Sequence, residues 1–256
     1  MKLFSFKAKK IRGYIYSSLK DDKRFSGVKE GSIIQNIDNT PPWIVVDHLL
    51  ENVLITQWPG KLFEVEIINL SKEKYLNKGL VKDVSYTRTL GVQIIRELSV
   101  DNLFGLNGNS ISQIIDVTRN ISQEEVTYLS NYNIDEAREI YSQAWKKWIR
   151  LTGESSPYLE EDHFDTLEIL NQNQKNSSPI NHGLSIIASH INLRAKEVLG
   201  ENAVTIDEDG EVNLNSLWAE ACERLLHAGM SFESNDLLSP TEKEILLLPW
   251  RKVFGK

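Results

Sequence analysis

The spacing of apolar residues changes once along this chain, and that change constrains the fold more than any single motif. Up to about residue 99 apolar side chains tend to recur at every second position; beyond it they recur about every 3.6. A period of two sends alternate side chains to opposite faces of a strand, whereas 3.6 lines one face of a helix. Strands first and helices second predict an α+β protein, because wound α/β folds interleave the two. The expected organisation is an antiparallel β-rich region over residues 1–100. A mostly helical region over 101–256 follows, able to pack on the sheet as one unit.

The first region is densest in apolar residues between Pro41 and Ile68. Strands are expected within 2–18, at 32–36 and at 43–46, the last followed by a short helical turn over 47–52. Trp58-Pro59-Gly60-Lys61 separates two apolar runs, 53–57 and 62–68. Proline presets φ and glycine accepts the positive φ that follows, so this segment predicts a hairpin. Residues 71–82 are rich in Lys and read as a loop. A further strand is expected over 86–94, with Tyr86, Arg88, Leu90, Val92 and Ile94 on one face.

The second region carries helix punctuation. Asn109-Ser110 can cap a helix through Val117, and Ser122 with Glu125 has the spacing of a capping box. Asn133 precedes an apolar stripe from Ile134 to Leu151, and Gly153 follows it. Pro157 and Pro179 sit where first-turn prolines sit, opening helices over 157–170 and 179–199. The polar connector 171–178 lies between them. Asp207-Glu208-Asp209-Gly210 reads as an acidic turn between two short strands. A helix over 214–228 is expected to end at Gly229. A last helix opens at Ser239-Pro240-Thr241-Glu242 and is expected to be interrupted at Pro249.

Composition narrows the function classes. No run approaches the ~18 apolar residues of a membrane span, and the first residues lack the charge-then-apolar order of a secretory signal. Cys222 is the sole cysteine, which excludes an internal disulfide and suits a reducing, cytoplasmic setting. The net charge of −7 is uneven. Residues 1–30 hold nine Lys or Arg against three Asp or Glu, and the remainder holds 20 against 33. An acidic body disfavours broad nucleic-acid binding, which depends on cation density. The basic segment 7–29, with Lys9, Lys10 and Arg12, is the one place for a local contact of that kind.

No catalytic or metal motif is complete. Asp207–Gly210 lacks the later oxygen ligands of a calcium loop. Glu160 and His163 form one Glu-x-x-His without the second copy that a di-iron bundle requires. Glu223 and His227 share a helix face and no more. No metal and no cofactor are expected. Asp47 and His48, with Glu64 as a carboxylate partner, are the residues suited to acid–base chemistry. Arg88, a charge on an apolar strand face, calls for a carboxylate partner such as Glu64 or Glu66, or for an anionic ligand. Trp58 and Lys61, at the turn of the expected hairpin, are the partner-binding residues. Trp145, Trp148, Trp218 and Trp250 fall on apolar stripes and read as core. The combined expectation is a non-enzymatic protein that binds a basic protein partner, in an immunity-like or regulatory role. The competing expectation is an enzyme acting on a nucleotide-like substrate in a sheet cleft around Arg88.

Overall fold

The computed structural model describes residues 10–18, 23–35, 43–55, 57–68, 85–132, 134–152, 178–233 and 237–255. The chain divides into two compact units, Met1–Leu103 and Phe104–Lys256. The architecture is α+β, with an antiparallel sheet in the first unit and helices in the second.

The first unit contains β1 (Arg12–Ser18), β2 (Ile33–Gln35), β3 (Ile44–Asp47), β4 (Gly60–Ile67), β5 (Tyr86–Thr89) and β6 (Gly91–Leu98). Their order is β2-β6-β4-β1-β3-β5, and every pairing is antiparallel. Leu90 alone separates β5 from β6, yet these strands stand four places apart in that order. In a flat sheet four strand spacings would put them roughly 19 Å apart. Two residues of chain reach only about 7 Å. The sheet therefore curls strongly, and residues 86–98 act as one bent strand that serves both sides of a small, partly open barrel. Thr89 holds the bend: its hydroxyl donates to the Gly91 carbonyl oxygen and accepts from the Gly91 N–H.

The barrel interior is one apolar cluster drawn from five strands. Ile15, Ile34, Ile44, Val46, Phe63, Val65, Ile67, Val92 and Ile94 meet there, and Phe25 stacks on Phe63. The pairing β4–β6 slips between Glu64 and Val65, so Ile95 is an extra residue on β6. Such a bulge adds twist, which a strongly curled sheet needs. Gly13 allows β1 and β3 to approach, because a Cβ there would run into the Asp47 carbonyl oxygen and Val46.

Two expectations for this region are corrected. Residues 53–55 form no strand, and the 53–57/62–68 hairpin is absent. Both edges of β4 are already taken, by β1 and β6, so no edge remains for the preceding segment. The alternation over 86–94 also breaks. Thr87 and Thr89 face inward before Leu90 and Val92 and Ile94 after it, which puts Arg88 on the outer face. The loop expected at 71–82 lies outside the described residues.

The second unit holds α1 (Gly108–Asn120), α2 (Gln123–Ser130), α3 (Asp135–Thr152), α4 (Ser178–Leu199), α5 (Ser216–Glu233) and α6 (Pro240–Phe254). A two-stranded sheet, β7 (Val204–Ile206) with β8 (Val212–Leu214), lies between α4 and α5. Capping boxes start α2 at Ser122 and α6 at Ser239, each with its glutamate reaching back. Asn107, not Asn109 or Ser110, stands at the cap of α1. Helix α5 is central and packs against all five others. Trp218, Ala221, Leu225 and Ala228 on α5 are fully buried, as are Ile114 on α1, Leu129 on α2, Ala144 on α3, Ile187 on α4 and Leu246 on α6. Gly229 does not end α5. It lies within the helix where a Cβ would press on Leu184, so it serves close α4–α5 packing. Helix α6 likewise runs on through Pro249 to Phe254. The helix expected at 157–170, the connector at 171–177, and Glu160 with His163 lie outside the described residues.

Candidate functional site

The outer face of the barrel carries a row of three polar side chains on three adjacent strands. Tyr14 on β1 stands directly opposite Asp47 on β3, and Asp47 stands opposite Tyr86 on β5. Side chains so placed have Cβ atoms about 4.5–5.5 Å apart. All three are half-buried. Asp47 is thus a carboxyl flanked in register by two tyrosines, with no hydrogen-bond donor reaching it among the described residues. Burial pushes its pKa from 3.8 up to about 7, since no opposite charge offsets the lost hydration.

One row along the same face, Arg88 stands opposite Val45. Its guanidinium lies 5.9 Å from the centroid of the Tyr86 ring. Neither carboxylate expected as its partner meets it. Glu64 accepts a hydrogen bond from Arg96 Nε at 2.7 Å, and buried Glu66 takes Lys10 Nζ at 2.6 Å and Arg12 Nε at 3.5 Å. The bond from Lys10, more than any other influence, lowers the Glu66 pKa. Two of the three cations marked for nucleic-acid contact are thereby tied to a carboxylate of their own barrel; Lys9 lies outside the described residues.

The remaining expected residues do not converge. His48 Nε2 lies 2.9 Å from Thr87 Oγ1, and Thr87 faces the interior, whereas Asp47 faces outward. Glu64 is two strands from Asp47, roughly 10 Å away. Lys61 pairs with Glu97 at 2.9 Å, and half-buried Trp58 precedes a cis peptide bond to Pro59. Asp47, His48, Glu64 and Arg88 therefore do not form one catalytic constellation. Tyr14 and Tyr86, which do stand beside Asp47, escape notice in the sequence, because only the strand register makes them neighbours of a residue 33 positions away in one direction and 39 in the other.

A second polar cluster is structural. On α5, Arg224 is buried and donates to the Tyr132 carbonyl oxygen and to Glu220, while Arg138 of α3 donates to both Glu220 and Glu223. His227, 1% exposed, lies one turn on. Its ring packs 4.7 Å from that of Tyr141, and neither ring nitrogen has a hydrogen-bond partner. Burial lowers its pKa from 6.5 to about 4, although Glu223 pulls the other way. Burial also raises the Cys222 thiol to about 12, so it is a packing residue and not a nucleophile. Glu223 and His227 do share a face, but no group of three metal-ligating side chains gathers among the described residues.

Among the described residues no helix is long and apolar enough to cross a membrane. Comparison with protein-family models, with curated proteins and with solved structures finds no match for this chain.

Proposed function

We propose that this is a non-enzymatic binding protein that captures a basic protein partner, receiving a lysine or arginine side chain at Asp47 between Tyr14 and Tyr86. The observation that carries the reading is a half-buried carboxyl, flanked in register by two tyrosines, with no partner among the described residues. A carboxylate in that setting lowers folding stability, so its place in the fold suits a ligand that compensates it. Aromatic faces carry negative quadrupoles and attract alkylammonium and guanidinium groups. The Tyr86 ring already has one such group nearby, Arg88. A cation entering between the rings would gain both the carboxylate and the faces. The acidic balance of residues 31–256 supports a basic partner through complementary charge.

The test is an NMR titration with Nα-acetyl-arginine methylamide and with Nα-acetyl-lysine methylamide. The expected result is shift changes centred on Tyr14, Asp47 and Tyr86, together with a fall of the Asp47 titration midpoint below 7. Asp47→Asn should abolish both. Binding that persists unchanged in Asp47→Asn, or no shift at tens of millimolar probe, sinks the reading.

A further inference from the structure

The β7–β8 hairpin of the helical unit is the most exposed apolar surface with regular backbone among the described residues. Ile206 is 71% exposed and Val212 is 66% exposed, and the two stand directly opposite each other. At the base of the hairpin Val204 stands opposite Leu214, and both are half-buried. Side chains alternate along a strand, so these four residues share one face, while Thr205 and Asn213 share the other. One face of a two-stranded sheet is therefore wholly apolar and uncovered at its outer end.

The hydrogen-bond phase adds a second property. Asp207 N–H donates to the Glu211 carbonyl oxygen, and Asn215 N–H to that of Ala203. Antiparallel ladders alternate hydrogen-bonded with non-bonded pairs. The bonded pairs are then 203/215, 205/213 and 207/211, and the pairs 204/214 and 206/212 are non-bonded. In non-bonded pairs the N–H and C=O groups point away from the partner strand. Ile206 and Val212 thus present main-chain donors and acceptors at the two outer edges, beside the exposed apolar side chains.

The turn is prebuilt and acidic. Asp207 Oδ1 accepts the N–H groups of Asp209 and Glu211 at 3.1 and 2.8 Å, and Oδ2 accepts Asn213 Nδ2 at 2.9 Å. Gly210 supplies the positive φ of 81°. With Asp207 spent on its own loop, Glu208, Asp209 and Glu211 remain as exposed carboxylates at the tip. A second copy of the chain would bring three like charges against three, which opposes self-pairing of the hairpin. A cationic strand meets no such penalty.

We propose that the β7–β8 hairpin docks an extended basic segment of a partner protein, added as a third strand, with its apolar side chains beside Ile206 and Val212 and its cations at Glu208, Asp209 and Glu211. Main-chain bonds to an open edge supply affinity, and alternate side chains supply selectivity. The surface lies in the helical unit, and its readout is local, so it stands or falls separately from the site at Asp47.

The probe is the acetylated, amidated heptapeptide Lys-Val-Lys-Val-Lys-Val-Lys, titrated into the full chain and followed by amide NMR. A block peptide of the same composition, four lysines then three valines, is the control. The expected result is shift changes confined to residues 203–215 and new protection from exchange at the Ile206 or Val212 amide. Ile206→Thr keeps a β-branched residue in the strand and should weaken binding about tenfold. The combined Glu208→Gln, Asp209→Asn, Glu211→Gln variant should weaken it by a similar factor at low salt. Retained cross-strand contacts between Thr205 and Asn213 show that each variant keeps its hairpin. The proposal is overturned if the heptapeptide fails to bind at millimolar concentration, shifts other residues instead, or binds Ile206→Thr equally well. Equal binding of the block peptide overturns it too, as does a dimer that strengthens when the three carboxylates are neutralised.

Discussion

Asp47 is the residue at which stability and binding pull apart. Its folded-state pKa is raised from 3.8 to about 7, so between those values the folded protein holds a proton that the unfolded chain has released. Stability contributed by this group is therefore full below pH 3.8 and is lost as pH rises through 7. Asp47→Asn, which cannot ionise, should be more stable than the parent at pH 8 by about 1 kcal/mol, allowing for screening at a half-exposed group. The difference should vanish near pH 4. Urea midpoints at the two pH values measure it, and a variant less stable than the parent at pH 8 would contradict the assignment. Because the substitution stabilises, loss of cation binding in the same variant cannot be laid to unfolding. The sequence marks Asp47, but beside His48 as an acid–base pair. Adjacent residues at a strand end face opposite ways, and here one meets Tyr14 and Tyr86 while the other meets Thr87. Arg88 is marked for a similar reason of local pattern. Its place on the outer face depends on a break at Leu90 that even alternation conceals.

At the scale of elements, local chemistry was readable where the structure is local. The capping box at Ser122, the helix start at Ser239 and the acidic turn at Asp207 each depend on residues within a few positions. The expected hairpin at Trp58–Lys61 depended on a turn signal too, but long-range pairing of β4 with β1 and β6 overrode it. Glycines misled for the same reason: Gly229 reads as a helix stop and instead lets α4 approach α5. Helix α5 holds a second pH-dependent group. His227 is neutral when folded, with its pKa lowered to about 4, and titrates near 6.5 when unfolded. Below 6.5 the unfolded chain binds a proton that the folded one refuses, so stability is full above pH 6.5 and falls as pH drops toward 4. Glu223 on the same helix opposes this shift, while Arg224 and Arg138, from α5 and α3, reinforce it. His227→Phe keeps a ring against Tyr141 and removes the titration. Between pH 7 and 4.5 it should lose about 2 kcal/mol less stability than the parent, read from denaturant unfolding at each pH. Equal losses would mean that water or movement of α5 hydrates the imidazole.

At the scale of the molecule, charge is the property that composition states most directly and that topology redistributes. The basic first thirty residues look like an anion-binding arm, yet Lys10 and Arg12 close on Glu66 of the neighbouring strand β4 and are partly neutralised there. The β1–β3 pairing that sets Tyr14 beside Asp47 joins distant segments and leaves no periodic trace. What remains is a molecule of net charge −7 with an acid-tipped hairpin exposing Ile206 and Val212. Salt separates the two contributions to binding at that hairpin. Screening shortens the reach of the tip carboxylates to about 3 Å at 1 M ionic strength and leaves apolar contact intact. The association rate of the alternating Lys-Val heptapeptide should therefore fall about tenfold between 20 and 500 mM salt, while its dissociation rate changes little. Stopped-flow measurement of both rates decides the matter. A salt-independent association rate would remove complementary charge as the basis for partner choice. A dissociation rate that climbs steeply with salt would mean that the carboxylates, and not Ile206 and Val212, hold the bound strand.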